Sequence, residues 1–307
     1  MAVQSEVWVK YIIGRLWKDN QFLKYAFNDD QYVVGGSKNG KIVHIPNPGS
    51  KPVIVKNRSS YPATAVQRTD SDVSYLLDKY SSDPTHIEAA DTMEITYDKI
   101  ASVFGDHAGQ LVETVADDMI IKWLTGIAAP NIVLTSGGAS ALGNVTGQTG
   151  NRKVTVADDL KKVGLAMNLQ NVPKADRYAL LESNMMDELT TSLTATQYRD
   201  FSEYMDAKEG IVGKLHGFTL MERSNVAIAA ITTNTIDALG GAVAADDNTV
   251  SMFWQKEAVA RALGERKFFE NKDDALYQGD IYSALLRAGG RRRRADNSGV
   301  VALIKAA

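Results

Sequence analysis

Charge is divided unevenly over the first third of this 307-residue sequence. Residues 31–69 contain no acidic side chain and six lysines and arginines, which are Lys38, Lys41, Lys51, Lys56, Arg58 and Arg68. Residues 70–118 then contain twelve acidic side chains against two basic ones, Lys79 and Lys99. A basic segment beside an acidic one indicates that copies of the chain attract one another. The pattern therefore favours assembly over catalysis.

The basic segment has the sequence pattern of an extended β-hairpin arm. Runs of β-prone residues at 32–34, 41–45 and 53–55 alternate with turns rich in glycine and proline. Pro52 and Pro62 fit edge strands and not the middle of a sheet. Because a hairpin with little apolar surface is not stable alone, we expect it to rest on a partner surface. The arm residues predicted to contact a neighbouring subunit are Lys38, Lys41, Lys51, Lys56 and Arg58.

Composition places the chain among ordinary globular proteins. Hydrophobic residues make up 44% and charged residues 23%, which argues against disorder of the whole chain. The net charge of −3 is too small for the whole surface to attract nucleic acid. The absence of cysteine excludes disulfides, thiolate catalysis and cysteine-ligated zinc. We find no signal-peptide pattern and no run of about 20 apolar residues, so we expect a protein made in a reducing cytoplasm, without a membrane span.

An aromatic N-terminal arm precedes the basic segment, and a long helix follows it. Residues 1–30 mix aromatic and charged side chains around a predicted helix at 6–17, so we expect this arm to dock on its own subunit or on a neighbour. Apolar residues from Ile100 to Trp123 step by three or four and predict a helix over 97–127. At about 1.5 Å per residue this helix would be about 45 Å long and would form a spine.

The second half of the sequence predicts a mixed α/β domain after a linker rich in glycine, serine and threonine at 135–151. Asp158 and Asp159 favour the start of a helix over 156–171, because acidic residues in the first turn interact well with the helix dipole. The further predicted elements are a buried strand at 177–181, helices at 183–192 and 195–206, strands at 217–221, 226–231 and 249–254, and a helix at 255–263. A last hairpin is predicted with arms at 281–294 and 299–305.

These elements predict an α+β fold in five parts. The parts are an N-terminal arm (1–30), an extended β-hairpin arm (31–69), a first domain with the spine helix (70–152), an inserted α/β domain (153–270) and a return to the first domain (271–307).

We find no catalytic motif in the sequence. Gly138 to Gly143 has the glycine spacing of a phosphate-binding loop, but Asn144 stands where that loop requires lysine. No GxSxG nucleophile motif occurs. No two of the four histidines stand at metal-ligand spacing; they are His44, His86, His107 and His216. We therefore predict no catalytic, cofactor-binding or metal site, and no enzymatic activity.

Four consecutive arginines, Arg291, Arg292, Arg293 and Arg294, admit two interpretations. They could contact phosphate groups of a nucleic acid. On a strand, however, side chains alternate between faces, so that two arginines would point each way. Arginine on an exposed strand also suits bidentate pairing with the carboxylates of a neighbour. We favour the intersubunit contact and expect only weak local contacts with DNA.

The order of these parts resembles the Hong Kong 97-type major capsid proteins of tailed bacteriophages. The resemblance covers essentially the whole chain, and it implies that residues 70–152 and 271–307 form a peripheral domain and that residues 153–270 form an axial domain at the centre of the capsomer. The most recognisable segments are VADDLKKVGLAMNLQNVPKADRYALLES at 156–183, GIVGKLHGFTLMERSNV at 210–226 and the ending GDIYSALLRAGGRRRRADNSGVVALIKAA. These segments are patterns of architecture and none is a catalytic signature.

The resemblance implies self-assembly into hexamers and pentamers of an icosahedral head around double-stranded DNA. It implies portal, scaffolding and decoration proteins as partners, assembly in the host cytoplasm and a place in the virion. The sequence shows no long helical scaffolding segment before the arm, so scaffolding is a separate protein or such a segment is absent from this chain. Some members of that family crosslink lysine to asparagine, but we assign no such site here.

Three other functions remain as alternatives. An encapsulin-like nanocompartment shell would have the same fold and would enclose a cargo enzyme; the long N-terminal and β-hairpin arms favour the bacteriophage head. A hydrolase or nucleotide-binding protein lacks the motifs that it would need. A monomeric binding module would elute as a monomer from a sizing column.

Overall fold

Four β-sheets and a long helix organise the described part of the chain. The computed structural model describes residues 16, 20–34, 42–47, 53–59, 61–62, 65, 67–88, 99–140, 150–230, 233–237, 247–294, 296 and 298–306. The helices are α1 (Lys99–Leu124), α2 (Ala157–Leu169), α3 (Ser183–Ser192) and α4 (Ala195–Ser202). The strands are β1 (Phe27–Asn28), β2 (Val33–Val34), β3 (Ile42–Asn47), β4 (Ser71–Leu76), β5 (Asp78–Ser81), β6 (Thr85–Glu88), β7 (Ile132–Leu134), β8 (Ala139–Ser140), β9 (Arg152–Lys153), β10 (Arg177–Glu182), β11 (Ile211–Leu215), β12 (Phe218–Arg223), β13 (Ala227–Ala230), β14 (Ile236–Asp237), β15 (Asp247–Gln255), β16 (Val259–Asp274), β17 (Gly279–Arg292) and β18 (Val300–Ile304).

Helix α1 confirms the predicted spine. It has 26 residues, which gives a length of about 39 Å at 1.5 Å per residue. Its buried side chains, which include Leu111, Val115, Met119 and Trp123, recur every three or four positions. This stripe belongs to the largest apolar cluster of the described residues, so packing holds the helix from Leu111 to its end.

The largest sheet separates the core into two apolar clusters. Its strand order is β11-β12-β10-β15-β13-β14, with β18 beside β15 and β7 beside β18. On β18, Val300, Ala302 and Ile304 pack in the cluster that contains α1. Val301 and Leu303 pack in the second cluster, against α2 and α3. Successive strand residues point to opposite faces, so one strand supplies both clusters.

The predicted helices and strands between 156 and 254 are confirmed with small shifts in their bounds. Helices α2, α3 and α4 and strands β10, β12, β13 and β15 each overlap a predicted span. These segments carry clear local signals, such as the apolar run of β10 and the capping box of α4, in which Thr194 and Gln197 exchange hydrogen bonds.

A long antiparallel hairpin of β16 and β17 corrects the prediction for the last third of the chain. Residues 259–274 pair with residues 279–292, with irregular register near Leu263 and near Asn271. The predicted helix at 255–263 is therefore wrong: a short 3-10 turn covers Lys256–Ala258 and a strand follows. The segment VARALGER is rich in good helix formers, and pairing with β17 overrides this local preference.

The predicted hairpin of 281–294 with 299–305 is also wrong. Strand β17 pairs with β16, β5 and β6, whereas β18 pairs with β15 and β7 in the other large sheet. The turn between them is present, with Gly299 at φ +90°, but it joins two sheets and not two neighbouring strands. A turn signal gives the place of a reversal and does not give the pairing partner.

The β-hairpin arm is built differently from its prediction. Strand β3 pairs with β4 along its whole length and with β2 at its start. The predicted strand at 53–55 is wrong, since those residues are exposed and lie outside any strand. Beyond residue 70, the chain divides at Leu77 into β4, which pairs with β3, and β5, which joins β17. The predicted helix at 6–17 lies, apart from Leu16, outside the described residues.

Candidate assembly surfaces

We call the loop between β3 and β4 the arm tip (residues 48–70); its described residues are exposed, apart from the half-buried Arg58. Asn47 pairs with Ser71 at the end of the β3–β4 ladder, and the described residues between them lie outside any strand. The exposed fractions are 84% for Val53, 92% for Ile54 and 80% for Tyr61. Apolar side chains that gain so little burial from their own chain are typical of a surface that binds a partner.

The described cations of the arm tip are accessible. Lys56 is exposed and Arg58 is half-buried. Arg68 pairs with Asp70 at 2.6 Å on the surface, which places one cation in a contact within the chain. Intersubunit contact by Lys56 and Arg58 stays a prediction. The predicted contact residues Lys38, Lys41 and Lys51 lie outside the described residues.

An open groove of about 710 Å³ runs between α1 and strands β5 and β6; we call it the spine groove. Its lining residues are Lys79, Tyr80, Ser81, Ser82, Asp83, Thr85, Asp106, His107, Gln110, Leu111 and Thr114. Thr85 Oγ1 lies 2.7 Å from His107 Nε2, which ties β6 to the helix. The groove offers both polar groups and apolar surface to an occupant.

A cluster of ionisable groups closes one end of the spine groove. Tyr80 donates a hydrogen bond to Asp118, and Lys122 pairs with Asp78 and, at 2.7 Å, with Asp118. Burial and the hydrogen bond to Asp118 raise the pKa of the Tyr80 hydroxyl. Burial alone would lower the pKa of Lys122, but its hydrogen bonds to Asp118 and Asp78 raise it. Lys122 therefore stays charged and neutralises part of the acidic surface within its own chain.

Other acidic residues of the predicted acidic stretch differ in whether they have partners. Asp117 pairs with Arg223 at 2.6 Å, and Asp72 lies 2.5 Å from His44 Nδ1. Asp83 and Asp106, both on the lining of the spine groove, have no ion pair among the described residues. Glu88 and Glu113 are exposed and also have no ion pair in that part of the chain, so the groove carries two of the carboxylates that a partner could reach.

Of the four consecutive arginines, Arg292 is buried within its own subunit. Its side chain is 8% exposed, and its Nη2 donates to the carbonyls of Thr125 (2.7 Å) and Gly126 (3.2 Å). These carbonyls follow the last turn of α1, where the helix dipole favours a cation. Burial and the charge of Arg291 lower the pKa of Arg292. Arg292 thus fixes the end of the spine on β17.

The other three arginines also contact their own chain. Arg291 is exposed, and its Nη1 donates to the carbonyl of Ser74 at 2.7 Å. Arg293 lies beyond the end of β17, with its guanidinium carbon 3.7 Å from the ring centroid of Phe27. Arg294 pairs with Asp296 at 3.2 Å. Only the first two arginines are on the strand, so the predicted alternation applies to them alone, and intersubunit contact by any of the four stays a prediction.

The described part of the N-terminal arm docks on its own subunit. Phe22 packs edge-on against Trp123 of α1, with 6.3 Å between the ring centroids. The ring of Tyr25 stacks on Tyr178 at 4.4 Å, and its carbonyl accepts a hydrogen bond from Trp254. Of the two docking modes considered from the sequence, these residues adopt the intrasubunit one. The aromatic residues Trp8, Tyr11 and Trp17 lie outside the described residues.

Within the described ranges, no group of three histidine, aspartate or glutamate residues could hold a metal ion. No helix in the described part of the chain is both long and apolar enough to cross a membrane.

Comparison with solved structures assigns the fold. The chain is similar to the capsid of Ralstonia phage GP4, with a TM-score of 0.64 and 11% identity over 92% of this chain and 87% of that one. It is similar to the capsid of cyanophage Pam1, with a TM-score of 0.64 and 10% identity over 93% and 91%. The chain has the Hong Kong 97-type fold.

A virus-like particle from Pyrococcus furiosus matches with a TM-score of 0.54 and 10% identity over 98% of this chain and 99% of that one. No protein-family model matches the sequence, and no curated protein sequence matches it. At these identities, the likeness is one of fold.

The spine groove was missed by the sequence reasoning. Its walls come from residues 79–85 and 106–114, which the sequence pattern treats as separate elements. A signal was available in the helix itself, because Asp106 and Gln110 form a polar stripe beside the apolar one. That stripe was interpreted only as part of a general acidic surface.

Proposed function

We propose that this chain is the major capsid protein of a tailed bacteriophage. Copies assemble into hexamers and pentamers of an icosahedral head that encloses double-stranded DNA. Scaffolding, portal and decoration proteins are its proposed partners, assembly takes place in the host cytoplasm, and the mature protein resides in the virion. Its role is structural and not enzymatic. The fold shared with phage capsids over more than nine-tenths of the chain supports this proposal.

The observation that carries the proposal is the exposed arm tip. A loop at the end of a paired ladder that presents Ile54 at 92% exposure has its apolar surface uncovered in the single chain. Burying a side chain of this size contributes about 1.5–3 kcal/mol. Repeated at every subunit contact of a shell, this gain is a strong drive for assembly.

The proposed receptor for the arm tip is the spine groove of a neighbouring subunit. The arm carries the excess of lysine and arginine, and the groove carries Asp83 and Asp106 without ion pairs in the described part of the chain. Complementary charge steers the arm and fixes its register. Each exposed pair contributes only about 0–1 kcal/mol, so the total charge of the arm matters more than any single lysine.

Assembly is tested by electron microscopy and light scattering of wild type and arm variants, with scaffolding protein supplied. We expect shells from wild type and from Ile54→Val, which keeps an apolar tip. We expect unassembled but folded subunits from Ile54→Asp. We expect wild-type shells to weaken as salt rises. The joint replacement of Lys38, Lys41, Lys51 and Lys56 by glutamine should weaken shells strongly and make them less dependent on salt, and each single replacement should have little effect.

Two results would count against this proposal. If wild type stays monomeric at every concentration, the proposed capsid function is wrong. If Ile54→Asp and the fourfold lysine variant both form normal shells, the arm does not have the proposed role in assembly. Replacing Asp83 and Asp106 by asparagine supplies the reciprocal test, since it should weaken shells about as much as the lysine variant does.

The full-length match to the Pyrococcus furiosus virus-like particle favours a second candidate, an encapsulin-like compartment. The contents of purified particles separate the two functions. A phage head protects double-stranded DNA from nuclease, whereas a compartment retains a co-purifying protein cargo.

A further inference from the structure

A cavity of about 320 Å³ lies between α2 and the turn that joins β11 to β12; we call it the α2 pocket. Its lining residues are Leu160, Lys161, Gly164, Leu165, Asn168, Lys174, Arg177, His216 and Gly217. Four of these residues can carry positive charge and none carries a carboxylate. The pocket belongs to neither the arm tip nor the spine groove.

Arg177 is the buried cation of the α2 pocket. Its side chain is 5% exposed, and its Nε donates to the carbonyl of Pro173 at 2.9 Å. Its Nη2 donates to the carbonyl of Val172 at 2.7 Å and to Asn168 Oδ1 at 2.8 Å. These contacts leave Nη1 without an acceptor among the described residues, although Arg177 lines the cavity.

The charge of Arg177 is not compensated within the described part of the chain. No carboxylate there pairs with it, and its guanidinium lies 6.0 Å from the ring centroid of Phe218. Burial lowers the pKa of Arg177, which is the physical sign of a desolvated charge without a counter-ion. A buried charge of this kind is costly unless an anion pairs with it.

The other cations stand around the rim of the pocket. His216 and Gly217 form a two-residue turn between the paired residues Leu215 and Phe218, with φ of +48° and +85°. Positive φ at both central residues is typical of a type I′ turn, and this turn places the imidazole of His216 on the cavity lining. Lys161, also on the lining, pairs with Asp158 at 2.6 Å on the exposed side of α2.

We propose that the α2 pocket binds a phosphate group, either as free inorganic phosphate or as a phosphodiester of a polynucleotide. Lys161, Lys174 and Arg177 supply three fixed positive charges, and Asp158 offsets one of them, which leaves a charge that matches a dianion. A guanidinium with a free nitrogen and flanking ammonium groups is a donor set suited to phosphate oxygens. The cavity exceeds what a single carboxylate would fill.

Bound phosphate also changes the protonation of His216. Burial and the charge of Lys161 lower the pKa of its imidazole, while Asp158 acts in the opposite direction. An anion beside it would stabilise the imidazolium form. A phosphodiester keeps its single negative charge between pH 8 and pH 6, so an oligothymidylate should bind more tightly as the pH falls toward 6. This dependence is a second readout besides stabilisation of the fold.

The test is thermal unfolding of the full chain in increasing sodium phosphate, against sodium acetate and sodium chloride at equal ionic strength. Light scattering in each buffer checks that the oligomeric state is the same. We compare wild type with the pocket variant Lys161→Gln/Lys174→Gln. The control variant Lys153→Gln/Lys208→Gln removes the same charge from exposed positions elsewhere. Variants of Arg177 are avoided because its hydrogen bonds hold the end of α2.

Phosphate should raise the unfolding temperature of wild type and of the control variant more than acetate or chloride does. Its apparent affinity should fall about three- to tenfold in the pocket variant. A short oligothymidylate that stabilises wild type but not the pocket variant identifies the phosphodiester as the ligand. A response to inorganic phosphate alone identifies the free ion. Equal effects of phosphate and acetate, or an undiminished phosphate effect in the pocket variant, would overturn the proposal.

Discussion

Replacement of Gly290 by alanine tests how closely the spine helix packs on the long hairpin. Gly290 lies on β17 opposite Arg261. An added Cβ would lie 2.6 Å from Met119 Sδ, 2.8 Å from the carbonyl oxygen of Ala260 and 3.0 Å from Trp123 Nε1. Met119 can shift its flexible side chain, but the carbonyl belongs to a paired strand. The carbonyl oxygen of Ala260 also accepts a hydrogen bond of 3.0 Å from Trp123 Nε1.

The expected loss of stability follows from three contributions. Overpacking a tight core costs about 1–3 kcal/mol. Displacing the hydrogen bond from Trp123 costs about 0.5–1.5 kcal/mol. Replacing glycine by alanine returns about 0.4–1 kcal/mol through the unfolded chain. We therefore expect Gly290→Ala to lower the free energy of unfolding by about 2 kcal/mol.

Urea unfolding of unassembled subunits, followed by tryptophan fluorescence, measures this loss. Gly138→Ala is the matched control, since a Cβ at Gly138 would meet no atom within 4 Å. We expect the control to stay within about 0.5 kcal/mol of wild type. If Gly290→Ala were as stable as Gly138→Ala, α1 and β17 would not be in the close contact described above.

Two further substitutions test the arginine run and the N-terminal arm. Arg292→Ala should lower the free energy of unfolding by about 2–4 kcal/mol, because it leaves two carbonyls at the end of α1 without a hydrogen-bond donor. Arg294 is half-exposed, and Arg294→Ala should lower it by less than about 1 kcal/mol. Equal thermal stability of the two variants would contradict the anchoring role of Arg292. Burial, followed by the charge and hydrogen bond of Glu209, raises the pKa of Tyr25 to about 12, so its contribution to stability is complete below pH 10 and is lost as the pH rises toward 12. The urea midpoint of wild type should therefore fall more steeply above pH 10 than that of Tyr25→Phe, and parallel curves would show that Tyr25 is not protected from ionisation.

Local signals in the sequence were enough to predict those helices and strands whose local preference agrees with their packing in the fold. The stepped apolar residues of α1 and the acidic first turn of α2 each predicted a helix that the structure confirms. The resemblance of the order of parts to Hong Kong 97-type capsid proteins predicted the fold that the comparison with solved structures assigns. In each of these cases, periodicity or capping within one segment agrees with the final packing.

Pairing partners were decided only by the tertiary structure. Residues 259–263 favour a helix locally, yet they form a strand because β17 satisfies their backbone groups and buries Val259, Ala260 and Ala262. The arginine run looked like a surface feature, and yet Arg292 is buried because the end of α1 brings it two carbonyl acceptors. The spine groove and the α2 pocket likewise join residues that are distant in the sequence. Contacts of this kind depend on which surfaces the fold brings together, and a local sequence pattern does not specify which distant residues it will contact.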